Sequence, residues 1–427
     1  MDRIINVLNH SEADAWEITD VKTHGWEFYF IKHRLDQNRS KDIEHTTLKV
    51  YKNSEDGKFL GSASAEVPPT ASDEEIRKTV EDLVYQASLV RNKTYSLCPV
   101  RSFSRINAET VSLEDDAEAF IRAMNSVAET ETEELNSFEI FVNRSTRHLI
   151  TSEGIDITEE YPSAVLDIVV NARKGCREIE LYRLYDLGTC DPELVKSDVE
   201  DLLHFGRDRL EAGKTPSLGT AAVVLSTDAA LNVYEYFLDN LNAGYVVRGM
   251  SSLEKGKPVS GHCDGDRITI RTVREMPGSP CNFACDAEGA PVRDEVLIEE
   301  GTVREFTGNR MFSQYLGLED SFIVSNWTAS GGTRTADQLR SDDYLEVVEF
   351  SDFQVDEMTG DIFGEIRLAY WHHGGKTDPV SGGAVSGNMR DNIADMQMSK
   401  ELRRYNNVMI PSVTKLSHIS IAAKEEN

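Results

Sequence analysis

The stretch Thr359–Asn388 has the sequence TGDIFGEIRLAYWHHGGKTDPVSGGAVSGN, and it decides the predicted fold of the second half of the chain. Apolar and polar side chains alternate towards Trp371, as in a strand with one buried face. Gly374-Gly375 then supplies the two residues of a tight turn, and a second short strand follows. This stretch, which continues to Pro411, therefore predicts a β-hairpin within a larger sheet.

Short strands and turns surround the predicted hairpin. From Gly244 onward, apolar segments of a few residues alternate with Gly, Pro and Asp turns. A buried strand precedes this region at 221–225, and a helix that begins after Ser226 or Thr227 follows it. The clearest further strands are predicted at 268–271, 296–298, 303–306, 344–350, 366–371 and 408–410, with a helix near 311–316. Residues 216–427 are therefore predicted to form a β-rich, mostly antiparallel C-terminal domain.

The first half of the chain predicts a mixture of helices and strands. Strands are expected at 26–31, 47–51, 59–65, 138–143, 147–152, 164–172 and 179–185, and helices at 3–8, 74–90, 114–130 and 192–210. The sequence DEEIRK at 73–78 resembles DPELVK at 191–196, and VEDL occurs at both 80–83 and 199–202. Residues 1–105 and 106–215 are thus two α/β segments, related either by duplication or only by the common pattern of amphipathic helices. The predicted fold class is α+β.

Composition limits the partners that this chain can have. The 427 residues include 40% hydrophobic ones and carry a net charge of -29, from 74 acidic and 45 basic residues. We expect two or three domains with real cores, and a surface that repels nucleic acid and anionic membranes. Without a secretion leader or a long apolar run, the cytoplasm is the expected compartment. The six cysteines contain no CxxC pair and are expected to be reduced.

The histidines and cysteines give no clear metal site. None of the ten histidines is followed by Glu, so the helical metalloprotease motif is absent. His372 and His373 are adjacent on a strand, where neighbouring side chains point to opposite faces and cannot easily share an ion. Cys281 and Cys285, with Cys263 upstream, do not have zinc spacing and are expected to be small buried hydrophobic residues. The small-residue loops 328–334 and 381–387 match no phosphate-binding motif, and plain turns are expected there.

A set of short motifs, in order along the last part of the chain, resembles one known family. The matching segments are Gly289-Ala290-Pro291, Val296–Val303, Thr359-Gly360-Asp361, Gly364-Glu365, Gly374-Gly375-Lys376, Pro379-Val380, Ser386-Gly387-Asn388 and Ile410-Pro411. Each motif alone is weak, but their ordered combination resembles the TldD/PmbA (TldE) family, once described as modulators of DNA gyrase. The resemblance covers most of the last 200 residues.

The resemblance implies a cytoplasmic bacterial or archaeal protein with an α+β N-terminal half and a β-rich C-terminal domain. In that family the TldD branch is a zinc protease, whose metal is held by an HExxxH helix and a cysteine near the C-terminus. The PmbA/TldE branch lacks these ligands and forms a heterodimer with TldD. The pair degrades unfolded or flexible peptides inside an internal cavity.

This chain departs from the TldD pattern at each metal position. In an ungapped register, Glu235, Tyr236 and Asn240 stand where the resemblance implies the first His, the Glu and the second His. No cysteine follows Cys285, so the third ligand is also missing. The resemblance therefore implies the PmbA/TldE-like branch, with no catalytic residue, no metal and no cofactor in this chain.

The leading hypothesis is a non-catalytic subunit that shapes the substrate chamber of a TldD/TldE-type protease. Its expected partners are a TldD-like zinc protease subunit or a second copy of itself, and an unfolded peptide. The candidate peptide-binding residues are Trp371, His372, His373, Asn388, Tyr234 and Glu235. Two alternatives are a self-sufficient homo-oligomeric peptidase or hydrolase with another site, and a non-catalytic peptide-binding protein.

Overall fold

The N-terminal half forms one seven-stranded antiparallel sheet with helices on one face. The computed structural model describes residues 1–100, 111–318 and 320–423, and the predicted boundary at 105/106 lies outside them. The elements are α1 (Asp2–Asn9), β1 (Ala15–Ile31), β2 (Arg34–Asn53), β3 (Phe59–Val67), α2 (Asp73–Leu89), β4 (Asn92–Lys93), α3 (Leu113–Asn125), β5 (Glu133–Thr151), β6 (Asp156–Lys174), β7 (Arg177–Leu187) and α4 (Pro192–Glu211). The strand order is β4-β3-β2-β1-β5-β6-β7.

The two segments of this half have the same order of elements. A helix, three strands and a second helix occur twice along the chain, as α1-β1-β2-β3-α2 and as α3-β5-β6-β7-α4, and β1 pairs with β5 where the two sets meet in the sheet. Each segment packs its helices on its own apolar cluster, one around Ile18 and Leu83 and the other around Phe138 and Leu202. This arrangement is what a duplication requires, and the duplication itself remains a prediction.

The strands of this sheet are longer than local sequence indicated. Segments 138–143 and 147–152, predicted as two strands, belong to the single strand β5. The polar residues between them stay in register, because Arg144 pairs with His24 and Ser145 with Thr23 on the central strand β1. Backbone pairing on both sides of β5 therefore outweighs the interruption in apolar pattern that suggested two separate strands. Helix α3 ends at Asn125, earlier than the predicted 130.

The C-terminal half consists of two further sheets with short helices. Its elements are β8 (Gly213–Lys214), β9 (Gly219–Leu225), α5 (Ala230–Asn240), α6 (Ala243–Val247), β10 (Thr269–Val273), β11 (Glu295–Glu299), β12 (Thr302–Val303), α7 (Arg310–Tyr315), β13 (Asn326–Ser330), α8 (Ala336–Leu339), β14 (Tyr344–Val355), β15 (Asp361–His373), β16 (Lys376–Ser381), β17 (Ala384–Asn388), α9 (Met389–Asn392), β18 (Gln397–Met398), β19 (Leu402–Tyr405), β20 (Val408–Pro411) and β21 (Thr414–Ala422). Most strand pairs are antiparallel, which confirms the α+β class.

The predicted hairpin is confirmed and closes a ring of strands. Strand β15 pairs with β16, and the turn residues Gly374 and Gly375 have φ of 54° and 77°, a left-handed conformation that suits glycine. The order β14-β9-β21-β17-β15 closes on itself because β14 also pairs with β15. Helix α5 packs its buried residues Val233, Tyr234 and Phe237 into the main core of this half.

Helix α5 starts later than the sequence suggested. Its N-cap position is Ala229, which gives no side-chain cap, so the predicted cap at Ser226 or Thr227 is wrong. The Ser226 hydroxyl instead donates to a carboxylate oxygen of Glu346 at 2.6 Å. In the described part of the chain, no helix combines the length and the apolar character that crossing a membrane requires.

Candidate functional site

A cavity of about 640 Å³ lies between the two halves of the molecule. The last part of β7 and the side of α4 form one wall. The start of α5, strands β14, β15 and β19, and helix α8 form the opposite wall. A cleft of this size between two structural units is a usual place for a ligand or a peptide side chain.

Ion pairs link the walls of this interdomain cavity. Arg183 on β7 contacts Asp228 with its Nη1 atom, 2.9 Å from Oδ1 and 2.8 Å from Oδ2. Its Nη2 atom donates to Glu349 on β14. Because Arg183 and Glu349 are only 18% and 12% exposed, this cluster holds charge out of water. Burial raises the pKa of Glu349, and the nearby guanidinium opposes that rise.

Two more arginines pair across or along the same cavity. Arg403 on β19 donates to Asp198 on α4, which joins the halves a second time. Arg340, after α8, lies 2.9 Å and 2.6 Å from the two carboxylate oxygens of Glu346. The lining therefore carries four arginines and four carboxylates, together with three tyrosines, and suits a polar, uncharged or zwitterionic group such as peptide backbone.

Strand β15 sends two residues of one face towards the cavity. The Tyr370 hydroxyl donates to Asp208 on α4 at 2.8 Å. His372 stacks on Tyr344 with ring centroids 4.2 Å apart, and its Nδ1 atom lies 2.9 Å from the Thr377 hydroxyl. Burial lowers the pKa of His372 and so favours its neutral form.

Trp371 and His373 point to the other face of the same strand. Their rings stack with centroids 3.7 Å apart, and His373 Nε2 lies 2.9 Å from a carboxylate oxygen of Asp378. The two neighbouring histidines therefore have different ring partners on different faces, as the strand alternation predicted. They do not form a joint ligand set in this structure.

The remaining candidate residues are dispersed. Tyr234 is fully buried, and its hydroxyl lies 2.6 Å from that of Thr414, so a peptide in the cavity cannot reach it. Glu235 lines a shallow depression of about 340 Å³ that shares Arg183 and Asp228 with the interdomain cavity. Asn388 pairs with Asp361, at the opposite end of β15 from the histidines. Of the six candidates, His372 lines the interdomain cavity and Glu235 lines the adjoining depression.

The helix α5 positions that the resemblance related to metal ligands have other contacts. Asn240 uses its amide nitrogen to donate to the carbonyl oxygens of Tyr236 and Glu357, both at 2.8 Å. Glu235 is exposed, and Asp239 beside it has a pKa raised to about 6 by burial and by the charges of Glu235 and Glu357. Among residues 1–100, 111–318 and 320–423, no group of three or more His, Cys, Asp or Glu is arranged to hold a metal ion.

Cys285 and two glycines of the small-residue loops have close-packed surroundings. Cys285 is fully buried, and burial raises the pKa of its thiol to about 12. A Cβ atom on Gly332 would lie 1.8 Å from the carbonyl oxygen of Met398, and one on Gly383 would lie 2.2 Å from that of Ala422. Close backbone contact is therefore sufficient to explain glycine at these two positions.

The charged residues of the interdomain cavity are not recognisable as site residues from the sequence. Arg183 and its partners Asp228 and Glu349 are 45 and 166 positions apart in the chain. Arg403 and Asp198 are separated by 205 positions. No local motif marks such pairs, and Arg183 is one of several charged residues of β7, so its sequence context does not distinguish it.

Comparisons with known proteins agree with this architecture. Residues 218–423 match the model of the PmbA/TldA metallopeptidase C-terminal domain. An uncharacterized protein of Methanocaldococcus jannaschii is 23% identical over 288 residues, which cover 62% of this chain and 64% of that protein. The chain thus aligns with less than two thirds of that curated relative.

Solved structures share the complete fold. TldE from Thermococcus kodakarensis is similar with a TM-score of 0.78 and 16% identity, covering 98% of this chain and 100% of the other. A candidate modulator of a DNA gyrase from Thermotoga maritima is similar with a TM-score of 0.77 and 15% identity, covering 99% of each chain. The C-terminal domain, residues 218–423, therefore belongs to the PmbA/TldD family of C-terminal domains.

Proposed function

We propose that this chain is a TldE-like, metal-free subunit of a cytoplasmic peptidase complex that degrades unfolded or flexible peptides. The main support for the proposal is the identity of the residues at three positions of helix α5. The positions that the resemblance relates to the first His, the Glu and the second His of the TldD motif hold Glu235, Tyr236 and Asn240, and Asn240 donates to two backbone carbonyls. A metal-activated water needs several His, Cys or carboxylate ligands around an open position, and of these three residues only Glu235 offers such a ligand.

The partner in this proposal is a TldD-like chain that carries the zinc. The similarity of fold between this chain and TldE of Thermococcus kodakarensis supports this role. The chain would contribute walls of the substrate chamber rather than reacting groups. A homodimer is the alternative assembly, and the acidic surface disfavours it because like charges repel.

Peptide binding has a suitable backbone edge beside the interdomain cavity. The outer side of β16 pairs with β8 only at Val380 and Ser381. No strand in the described ranges covers the outer edge at Lys376–Asp378, so an extended peptide can add there by main-chain hydrogen bonds. His372 and His373 belong to the neighbouring strand β15 and flank this edge.

Co-expression tests the proposal directly. The chain and the TldD-like chain of the same organism are purified separately and together, and cleavage of an unfolded, fluorescently labelled peptide is followed. We expect no cleavage by this chain alone and efficient cleavage by the pair. A control replaces the first histidine of the partner's metal motif and should abolish the activity of the pair. Cleavage by this chain alone, lost on mutation of His372 or Cys285, would instead support a self-sufficient hydrolase.

A further inference from the structure

One face of the N-terminal sheet is only partly covered. The helices α1 to α4 pack on the face that carries Phe138, Leu166 and Leu181. The C-terminal half covers one end of the opposite face, where Leu149 and Ile157 pack against Phe322. Towards the other end of this face, Tyr182 is 55% exposed and Leu184 is 46% exposed.

Strand register identifies the residues that meet on this open end. Tyr29 on β1 pairs with Glu139 on β5, Glu139 pairs with Asp167 on β6, and Asp167 pairs with Leu184 on β7. Paired residues share one face of a sheet, so these four side chains form a row. Phe141 and Tyr182 lie in the rows directly above and below, and the Tyr29 and Phe141 rings are 5.5 Å apart. We call these six residues the open-face patch.

The charges in the patch are not balanced. Glu139 and Asp167 are direct cross-strand neighbours, an arrangement that destabilises a sheet when nothing compensates it. Within the described ranges, neither carboxylate forms an ion pair with a basic side chain. Asp167 accepts a hydrogen bond from the Tyr182 hydroxyl at 3.0 Å. Arg39, the nearest arginine on β2, is engaged with Glu27 and with the Tyr29 hydroxyl.

A rim of ion pairs borders the patch. Lys32 lies 2.7 Å from Glu134, and Arg173 lies 2.7 Å from Glu134 and 2.9 Å from Glu178. The patch has aromatic and apolar side chains around two carboxylates, and aromatic residues inside a polar rim are typical of a protein interface. From strand and residue spacings the open-face patch measures roughly 15 Å by 15 Å, which is the size of a hot-spot region and not of a complete interface.

We propose that the open-face patch is the docking surface for a different protein chain, which places a lysine or arginine between Glu139 and Asp167 and packs apolar side chains on Phe141, Tyr29 and Tyr182. A second copy of this chain is a poor occupant. It would bring the same two carboxylates in a symmetric contact, and each copy carries a net charge of -29. The inference rests on the proposed function, because it names the surface through which a partner chain binds.

Binding measurements with separately purified chains test the inference. The probe is the TldD-like chain of the same organism, titrated by biolayer interferometry into wild type, the double variant Glu139→Arg/Asp167→Arg, and Tyr182→Ser. The matched control is Tyr85→Ser, because Tyr85 is 67% exposed on α2, on the helix side of the sheet. Circular dichroism and the thermal midpoint establish that each variant folds. We expect both patch variants to lose at least about tenfold in affinity and the control to be unchanged.

The possible outcomes separate this inference from the proposed function. If wild type binds and both patch variants bind as tightly, the docking surface is wrong and the proposed function stands. If wild type does not bind the TldD-like chain, the proposed function fails and the inference fails with it. Light scattering of this chain alone adds a further test. A homodimer that the patch variants dissociate would identify a second copy as the occupant and overturn the inference.

Discussion

The guanidinium of Arg183 lies 2.9 Å and 2.8 Å from the two carboxylate oxygens of Asp228 and joins the N-terminal sheet to the segment that starts helix α5. The same side chain also reaches Glu349 on β14. One residue of the edge strand β7 therefore orients the sheet, α5 and the strand ring relative to each other. The shape of the interdomain cavity depends on this contact, since all three residues border it or its adjoining depression.

Removal of Arg183 should be strongly destabilising. Arg183→Ala leaves Glu349 buried without its cation, and we expect a loss of about 3–5 kcal/mol in the free energy of unfolding. The measurement is urea unfolding followed by fluorescence. In Arg183→Ala/Glu349→Gln the unpaired charge is also removed, so part of the loss should return. A double variant with the full sum of both single losses would contradict the proposed coupling.

Tyr234 should act in stability and not in peptide binding. Tyr234→Phe removes the hydroxyl that contacts Thr414 in a fully buried position, and we expect a cost of about 1–2 kcal/mol. Tyr85→Phe, at an exposed position, is the matched control and should change stability by less than about 0.5 kcal/mol. Peptide affinity, measured by fluorescence anisotropy of the assembled complex, should be unchanged by both. A clear loss of affinity in Tyr234→Phe alone would return Tyr234 to the binding residues.

The contribution of the Asp239 carboxyl group to the free energy of unfolding should decrease as pH rises. Burial, with the charges of Glu235 and Glu357, raises its pKa from 3.8 to about 6. The folded state thus binds more protons than the unfolded state between about pH 4 and 6, so this contribution to stability decreases across that window and stays low above it. Solvent screening keeps the effect near or below ~1 kcal/mol.

The variant Asp239→Asn tests this pH-dependent contribution of Asp239 to stability. At pH 8 we expect its thermal midpoint to lie slightly above that of wild type, because the unfavourable charge is gone. At pH 4 the difference should vanish or reverse, since Asp239 is then mostly protonated in the wild type. Glu235→Gln should give a smaller change of the same sign. An Asp239→Asn variant that is less stable at pH 8 would show that the ionised carboxylate makes a favourable contact.

The acidic surface should make stability depend on salt. With a net charge of -29, repulsion between surface carboxylates disfavours the compact state, and ions screen it. We expect the thermal midpoint to rise by several degrees between about 0.05 M and 1 M KCl at pH 7.5. Sodium sulfate at matched ionic strength serves as a control, because it adds a separate effect on apolar burial. A midpoint that falls in KCl would mean that ion pairs such as Arg183–Asp228 dominate instead.

The elements themselves were largely predictable from local sequence. Alternation up to Trp371 and the Gly374-Gly375 turn predicted the β15–β16 hairpin, and Asp191-Pro192 predicted the start of α4, where the Asp191 side chain accepts from the Leu194 amide. Strand ends were predicted less well, because pairing with neighbours extends β5 through the polar residues Arg144 and Ser145. Local pattern contains no information about such partners.

The candidate site was predicted only in part, and for a related reason. Strand alternation correctly separated His372 from His373. It could not indicate that His372 faces a cavity lined by β7 and α4, because that wall is formed by residues nearly 200 positions away. The helical spacing of Tyr234 was compatible with either the core or a binding surface, and its burial with Thr414 decided between them.

Zinc content tests the central claim most directly. The chain is purified alone, incubated with excess zinc, dialysed, and analysed by inductively coupled plasma mass spectrometry alongside its TldD-like partner as a positive control. With Glu235, Tyr236 and Asn240 at the positions related to the HExxxH motif, we predict less than about 0.1 zinc per chain for this protein and about one for the partner. Close to one zinc per chain in this protein alone, together with cleavage of an unfolded peptide, would contradict the account.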